Sequence, residues 1–263
     1  NGFPLPKRIF IRMLIVLYKH LDMNVIKRSD VITTLNRTTE DLIEKIYERN
    51  AIKTYMGVDT DFFRPVTIIP SNGNKEKIIL HSTDYTMMKG TRFIIDALPL
   101  VKDKISEVKL IITHTVNDPN ERANLLNMAK TLGVDKNIEF VGTVPYSKLP
   151  EYYSRADLLA FTGHPECLGP TASLTVLEAM ACETPVVRSI ACSEEVEDGV
   201  SGFLVDPRDK FRLAAVIVKV LSNKDLARKM GQEGRKRVLR MYNWENTSNI
   251  FSEVISGLLE KKR

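Results

Sequence analysis

Cysteine is scarce in this chain. Its three residues, Cys167, Cys182 and Cys192, are odd in number and fit no zinc-ligand spacing. That argues against a disulfide framework and a zinc module, and it suits a reducing cytoplasm. No hydrophobic run approaches the roughly 20 apolar residues that a membrane span needs. There is no glycine-rich Walker loop, no Ser-His-Asp order and no cluster of metal-ligating residues. P-loop phosphoryl transfer, triad-type acyl transfer and metal-centred hydrolysis therefore have no foothold in the pattern. Internal repeats and low-complexity tracts are also missing. The first residue is Asn1 rather than Met, which fits a fragment, so the lack of a signal peptide carries no information.

What is present is enough for a core. Of 263 residues, 43% are hydrophobic, sufficient for one large domain or for one domain plus part of another. Charged residues make up 27% and the net charge is +5. Two readings of that mild basicity stay open: an ordinary solvated surface, or attraction to anions such as nucleotide phosphates or an acidic membrane face.

Along the chain, residues 5–28 alternate apolar and basic groups at helical spacing, with Phe10, Leu14, Leu17, Tyr18 and Leu21 on one face. A helix packed on a neighbouring domain and a basic helix lying on an anionic membrane surface both fit. The pattern predicts a strand at 30–35 and a helix at 37–50 capped by Thr38 or Thr39. Residues 56–65, with Gly57, two aspartates and Pro65, read as a linker. Beyond it, short apolar strands at 77–80, 108–113, 137–142, 157–161, 185–188 and 202–205 alternate with helices. These fall near 90–104, 119–132, 147–155, the stretch after Ser173, 208–222, 224–240 and 244–260. Such alternation predicts an α/β fold, a parallel sheet with helices on both faces. Ligands bind such sheets at the carboxyl ends of the strands. The turns that matter are then 81–90, 113–119, 142–147, 162–173 and 188–198.

Several residues in those turns are candidates. Lys89 and Gly90 precede a helix, where a lysine, free backbone N–H groups and the dipole all favour a phosphate; a surface Lys-Gly pair is the plainer reading. In "LGPTASLT" the hydroxyls of Thr171 and Ser173 can cap the next helix or bond a ligand, and the amides around Thr171, Ala172, Ser173 and Leu174 are first-turn donors. Glu178 lies one helical turn further in. A carboxylate accepts from two vicinal hydroxyls and so suits a ribose; an acid favoured by the helix dipole is the plainer alternative. His114 and His164 fall at strand ends, where either can bond a substrate, transfer a proton or simply be exposed.

Five segments occur in order: "MGVDTDFFRP", "MKGTRFIIDAL", "KLPEYYSRADLLAF", "VLEAMACETPVV" and "VEDGVSGFLVDP". Together they resemble the C-terminal half of a retaining GT-B glycosyltransferase of the group 1 glycosyl transferase family. The resemblance implies a GT-B type fold, two Rossmann-like halves around a cleft, with the first domain largely missing here. Residues 1–57 would be the remnant of the N-terminal acceptor domain. Residues 58–240 would be the nucleotide-sugar-binding domain, and 241–263 the helix that returns to the first domain. The implied reaction moves a hexosyl group from a UDP- or GDP-sugar to a glycan or lipid-linked acceptor with retention. A fragment alone would be inactive.

The same resemblance implies roles. Lys89, beside Gly90, would meet the diphosphate together with the amides of Thr171 to Leu174. Glu178 would bind the ribose, Gly142, Thr143 and Val144 would lie near the base, and His114 would stand among the donor-binding residues. Glu166, with Lys89, would serve the reacting sugar. No metal, other cofactor or nucleic acid is expected, and the location would be cytoplasmic, peripheral to a membrane. Four departures stand out. Asp84 replaces an expected arginine five residues before Lys89, and Pro170 stands where the partner glutamate of Glu178 is expected, with Glu166 offset by four. His114 and Thr115 replace a glycine-rich turn, and Glu183 replaces a glycine that would end the helix left-handed. These leave two alternatives open: a degenerate GT-B protein acting as a binding or partner subunit, and a nucleotide-sugar epimerase.

Overall fold

Successive residues of a strand face opposite sides of its sheet, and here both sides are buried. Ile79, Leu110, Ile112, Leu158, Ala160, Val187 and Val205 join one hydrophobic cluster. Their neighbours Ile78, Leu80, Ile111, Leu159, Phe161 and Val186 join another. That is why the strands are near-continuous apolar runs rather than alternating ones. The computed structural model describes residues 22–67, 76–83, 87–114, 118–164, 173–190 and 194–261.

The strands are β3 (Lys77–Ser82), β4 (Val108–Thr113), β5 (Ile138–Val141), β6 (Leu158–Phe161), β7 (Val186–Ser189) and β8 (Phe203–Val205). They form one six-stranded sheet in the order β5-β4-β3-β6-β7-β8, every pair parallel. Helices α2 (Thr91–Lys102), α3 (Pro119–Thr131) and α6 (Lys210–Ser222) cover the first cluster. Helices α4 (Leu149–Arg155), α5 (Leu174–Ala181) and α7 (Lys224–Met241) cover the second. The chain leaves β3 toward β4 and β5, then returns to place β6 on the other side of β3. The strand order reverses there, and such a switch point opens a crevice at the carboxyl ends of the two central strands.

This sheet lies in the larger of two compact units, Tyr55–Thr247; residues 1–54 and 248–263 make up the smaller. The larger unit thus begins and ends outside the 58–240 expected. Within the smaller unit, residues 22–28 are helical, and β1 (Thr33–Thr34) pairs in parallel with β2 (Ile52–Lys53). The strand expected at 30–35 is therefore only two residues long. Helix α1 (Arg37–Tyr47) stops before 50, where Glu48 turns left-handed. Its cap is Asn36, whose side chain accepts from the Thr39 N–H at 2.8 Å, not Thr38 or Thr39. An asparagine oxygen one residue before the helix reaches that amide without giving up a helical position. The remaining helix, α8 (Trp244–Lys261), closes the chain.

The expected linker at 56–65 is instead part of the core. It lacks regular structure, but Val58 and Phe63 are buried and the Val58 N–H donates to the Tyr242 carbonyl at 2.8 Å. Phe63 meets Tyr146 and Tyr153 edge-on or tilted. Local breakers end secondary structure, but they do not stop large apolar side chains from being buried. Glu183 does adopt the left-handed conformation expected of it, with φ of 60°. Its carbonyl points at Gly231 of α7, where a Cβ would lie 2.0 Å from that oxygen. Arg235, one turn on, donates to the Ala181 carbonyl, so a cation faces the carboxyl end of α5.

Candidate functional site

The crevice holds a pocket of about 290 Å³ lined by residues from five elements and their turns. Lys89 comes from the turn after β3, and Ser82 and Thr113 end β3 and β4. His114 and Val144 follow β4 and β5, Tyr153 comes from α4, and Thr175 and Glu178 come from α5.

The turn carrying Lys89 is held from both sides. His81 in β3 is fully buried, with Nδ1 2.8 Å from the Ala160 carbonyl and Nε2 3.0 Å from the Thr91 hydroxyl. A carbonyl only accepts, so Nδ1 carries the proton and Thr91 donates to Nε2. Burial pulls this imidazole down to about 4, which keeps it neutral. Across the switch point, the Thr162 hydroxyl donates to the Gly90 carbonyl at 2.9 Å and the His164 N–H to the Met88 carbonyl at 2.8 Å. Gly90 has φ of 74°, and a Cβ there would sit 1.9 Å from the Thr162 oxygen. Only glycine lets the two turns close to this distance. The result aims the Lys89 ammonium over the Phe161 ring, 5.9 Å from its centroid.

Glu178 faces the pocket from the first turns of α5. Its Oε2 accepts from the Tyr153 hydroxyl at 2.8 Å. Burial raises its pKa above the usual carboxylate value, and the Tyr153 bond offsets part of that. Tyr153 is itself held well above its usual value by burial and by the charge of Glu178, so the phenol stays protonated and donates. Its backbone carbonyl accepts from the Thr184 hydroxyl at 2.8 Å, which ties the end of α4 to the end of α5.

The start of α5 differs from expectation. Ser173 is the cap residue, yet its side chain makes no cap bond. Its N–H donates to Glu195 Oε1 at 3.2 Å. Glu195 is buried and pairs with buried Arg188 at 2.5 Å, and the Arg188 guanidinium lies 5.3 Å from the Phe161 centroid. Burial raises the Glu195 pKa, opposed by Arg188 and by the Ser173 N–H.

Of the residues expected from the sequence, the structure gathers Lys89, His114, Val144 and Glu178 around one pocket. Gly90 is buried behind it. Gly142 and Thr143 are exposed beside it, Leu174 is 45% exposed, and Thr175 takes the wall position at the start of α5. Glu166, Thr171 and Ala172, like Asp84, Thr115 and Pro170, lie outside the described residues. His164 packs against Phe93 at 5.6 Å. Sequence reasoning missed Tyr153, Ser82, Thr113, Arg188 and Glu195. The signal for Arg188 was a charge inside the apolar run "PVVR" at a position whose parity faces α5. Among the described residues no group of His, Cys, Asp and Glu is placed to hold a metal ion, and no helix is long and apolar enough to cross a membrane.

The model of the family described as "Glycosyl transferases group 1" matches residues 67–237. A GDP-mannose-dependent alpha-(1-6)-phosphatidylinositol monomannoside mannosyltransferase from Mycolicibacterium smegmatis is 27% identical over 249 residues, or 89% of this chain. The chain spans 64% of that relative's length. Among solved structures, a sucrose-phosphate synthase from Thermosynechococcus elongatus superposes with a TM-score of 0.79 at 24% identity, covering 92% of this chain and 61% of that one. Anabaena Alr3699/HepE in complex with UDP and glucose gives 0.76 at 18% identity, covering 90% and 66%. The fold is thus of the GT-B type, and the family match takes in the whole six-stranded sheet and the pocket at its switch point. The chain belongs to the group 1 glycosyl transferases.

Proposed function

We propose that the pocket is the donor site of a glycosyltransferase that moves a hexosyl group from a UDP- or GDP-sugar to a glycan or lipid-linked acceptor, with retention. The observation that carries this reading is the pairing of Lys89 and Glu178 on the walls of one switch-point pocket. A cation that makes no ion pair among the described residues lines the same pocket as a carboxylate with one oxygen to spare. In this reading Lys89 and the first-turn amides of α5 take the diphosphate, and Glu178 takes the ribose. The leaving phosphate accepts the acceptor's proton on the face from which it departs, so no protein nucleophile enters the reaction. Charge at the diphosphate comes from Lys89 and the helix end rather than from a metal ion. Glu166 is assigned to the sugar. The relatives that support the donor class are a GDP-mannose-dependent enzyme and a protein solved with UDP and glucose. A lipid-linked acceptor would place the protein at the cytoplasmic membrane surface, with residues 5–28 as the contact.

Thermal shift with UDP- and GDP-sugars tests the reading. One of them should raise the melting temperature, and Glu178→Ala should abolish the rise. EDTA should leave it intact. Ribose binding needs the carboxylate form, so the shift should fade as pH drops through the raised pKa of Glu178. No shift with any nucleotide sugar would overturn it.

One observation favours a second reading, binding without turnover. Glu195 places a carboxylate on the Ser173 N–H, at the helix end assigned to the diphosphate. Full-length protein that binds a donor but neither transfers nor hydrolyses the sugar would establish that reading.

A further inference from the structure

Glu178 shares the pocket wall with three hydroxyl residues, Thr113, Ser82 and Tyr153. The Thr113 hydroxyl donates to Ser82 Oγ at 3.0 Å. Tyr153 donates to Glu178 Oε2 at 2.8 Å. All four residues line the same pocket. The Tyr153–Glu178 bond has one direction, because the phenol stays protonated and the carboxylate can only accept. Tyr153 has no other setting available. Its side chain is 1% exposed and packed against Phe63, and the Thr184 hydroxyl holds its carbonyl.

The consequence falls on Glu178. One carboxylate oxygen is shared with the phenol inside the wall, and Oε1 is the oxygen left unshared for a ligand. Resting on the donor-site reading above, we propose that Tyr153 is a positioning residue that makes Glu178 a one-oxygen acceptor, so the two ribose hydroxyls of the donor are read unequally. One hydroxyl donates to Oε1 in a charge-assisted bond. The other meets an oxygen already shared with a phenol, whose remaining acceptor strength is lower. A carboxylate acting alone would take the two hydroxyls alike.

Calorimetric titration of the chain with UDP and GDP, followed by the 2′-deoxy and 3′-deoxy forms of whichever binds, tests this. Removing one hydroxyl should weaken binding by about tenfold or more and removing the other by less than about threefold, the spread between charged and neutral hydrogen bonds. In Tyr153→Phe the released oxygen should bring the two losses together. The pH at which binding fades should also move up, since the bond that lowers the Glu178 pKa is gone. A purely structural tyrosine would change neither the ratio of the two losses nor that midpoint. Equal losses in the wild type, or an unchanged ratio in a folded Tyr153→Phe, would overturn the proposal. If Tyr153→Phe does not fold, the wild-type ratio decides. Failure of the wild type to bind either UDP or GDP overturns the donor-site reading and this proposal with it, and is distinguishable because the deoxy series is then never reached.

Discussion

The same two central strands carry a lysine at each rim of the sheet, and the two lysines are used differently. At the amino rim Lys77 opens β3 and lies 2.6 Å from Asp157 just before β6. The other Asp157 oxygen takes the Ile78 N–H at 2.9 Å. At the carboxyl rim Lys89 stands over the Phe161 ring and, among the described residues, makes no ion pair. Both rims also hold a cavity, about 230 Å³ at the amino rim and about 290 Å³ at the other. The amino-rim cavity is lined by Lys77, Lys224 and Arg228 together with Asp157 and Glu183, and Lys77 there meets its counter-ion Asp157. A cation that has its counter-ion within the fold serves the fold. A cation held in a crevice without a counter-ion among the described residues is available to a ligand, and Lys89 is such a cation beside the switch point.

The carboxyl rim also contains a cation of the first kind, and removing it should have the largest effect on stability. Arg188 and Glu195 are 3% and 1% exposed. Replacing Arg188 with leucine leaves a buried carboxylate without its partner, which costs about 3–5 kcal/mol. Urea denaturation should show that loss. A loss under about 1 kcal/mol would mean that Glu195 is protonated in the fold and that the pair is not ionic.

Lys89→Ala should separate the two kinds of cation most clearly. The full-length protein should lose about 10²–10³-fold in turnover, the range seen when one preorganised donor to developing charge is removed. Its stability should stay within about 0.5 kcal/mol of wild type, because no described residue makes an ion pair with that ammonium. A large fall in melting temperature with intact donor binding would reverse the assignment of the two rims.

The contrast between rims was half legible in the sequence. Short apolar runs alternating with helices predict the parallel sheet, so the turn carrying Lys89 could be located at the carboxyl end of a strand, but the strand order and its switch point are tertiary facts. Glu178 was placed by its distance into the helix after Ser173. Tyr153 was not, because it lies 25 residues from Glu178 along the chain. Helical periodicity marks it only as a buried aromatic, and pairing across α4 and α5 is a tertiary fact. Asn36 was passed over because "NRTT" offers three capping side chains within four residues, and only the backbone bend selects one. Val58 and Phe63 were lost to a local argument: Gly57 and Pro65 interrupt periodicity, but burial of the side chains between them depends on residues far away in sequence, Tyr146, Tyr153 and Tyr242.

Glu183 offers a smaller test on the amino rim. Its left-handed backbone costs about 1 kcal/mol relative to glycine, so Glu183→Gly should stabilise the chain by about that amount in a denaturant titration. The Gly231 contact to its carbonyl is unaffected by the change, since it involves backbone alone. A neutral or destabilising result would show that the Glu183 side chain contributes to the amino-rim cavity more than its backbone costs.

The smallest effect belongs to Lys77. Its pair with Asp157 is short, but the two side chains are 25% and 30% exposed, and ion pairs open to solvent are worth about 0.2–1 kcal/mol. Lys77→Met should therefore cost no more than that. The methionine keeps most of the aliphatic packing, and Asp157 keeps the Ile78 N–H as a partner. Nucleotide-sugar affinity should not change, since the lysine sits at the opposite end of β3 from the pocket. This gives the comparison its strictest control, because Lys77 and Lys89 flank the same strand, carry the same charge and differ in what the fold has placed beside them. If Lys77→Met weakened donor binding as much as Lys89→Ala, net positive charge alone would account for the affinity, and the placement of Lys89 by His81, Gly90 and Thr162 would have no functional meaning.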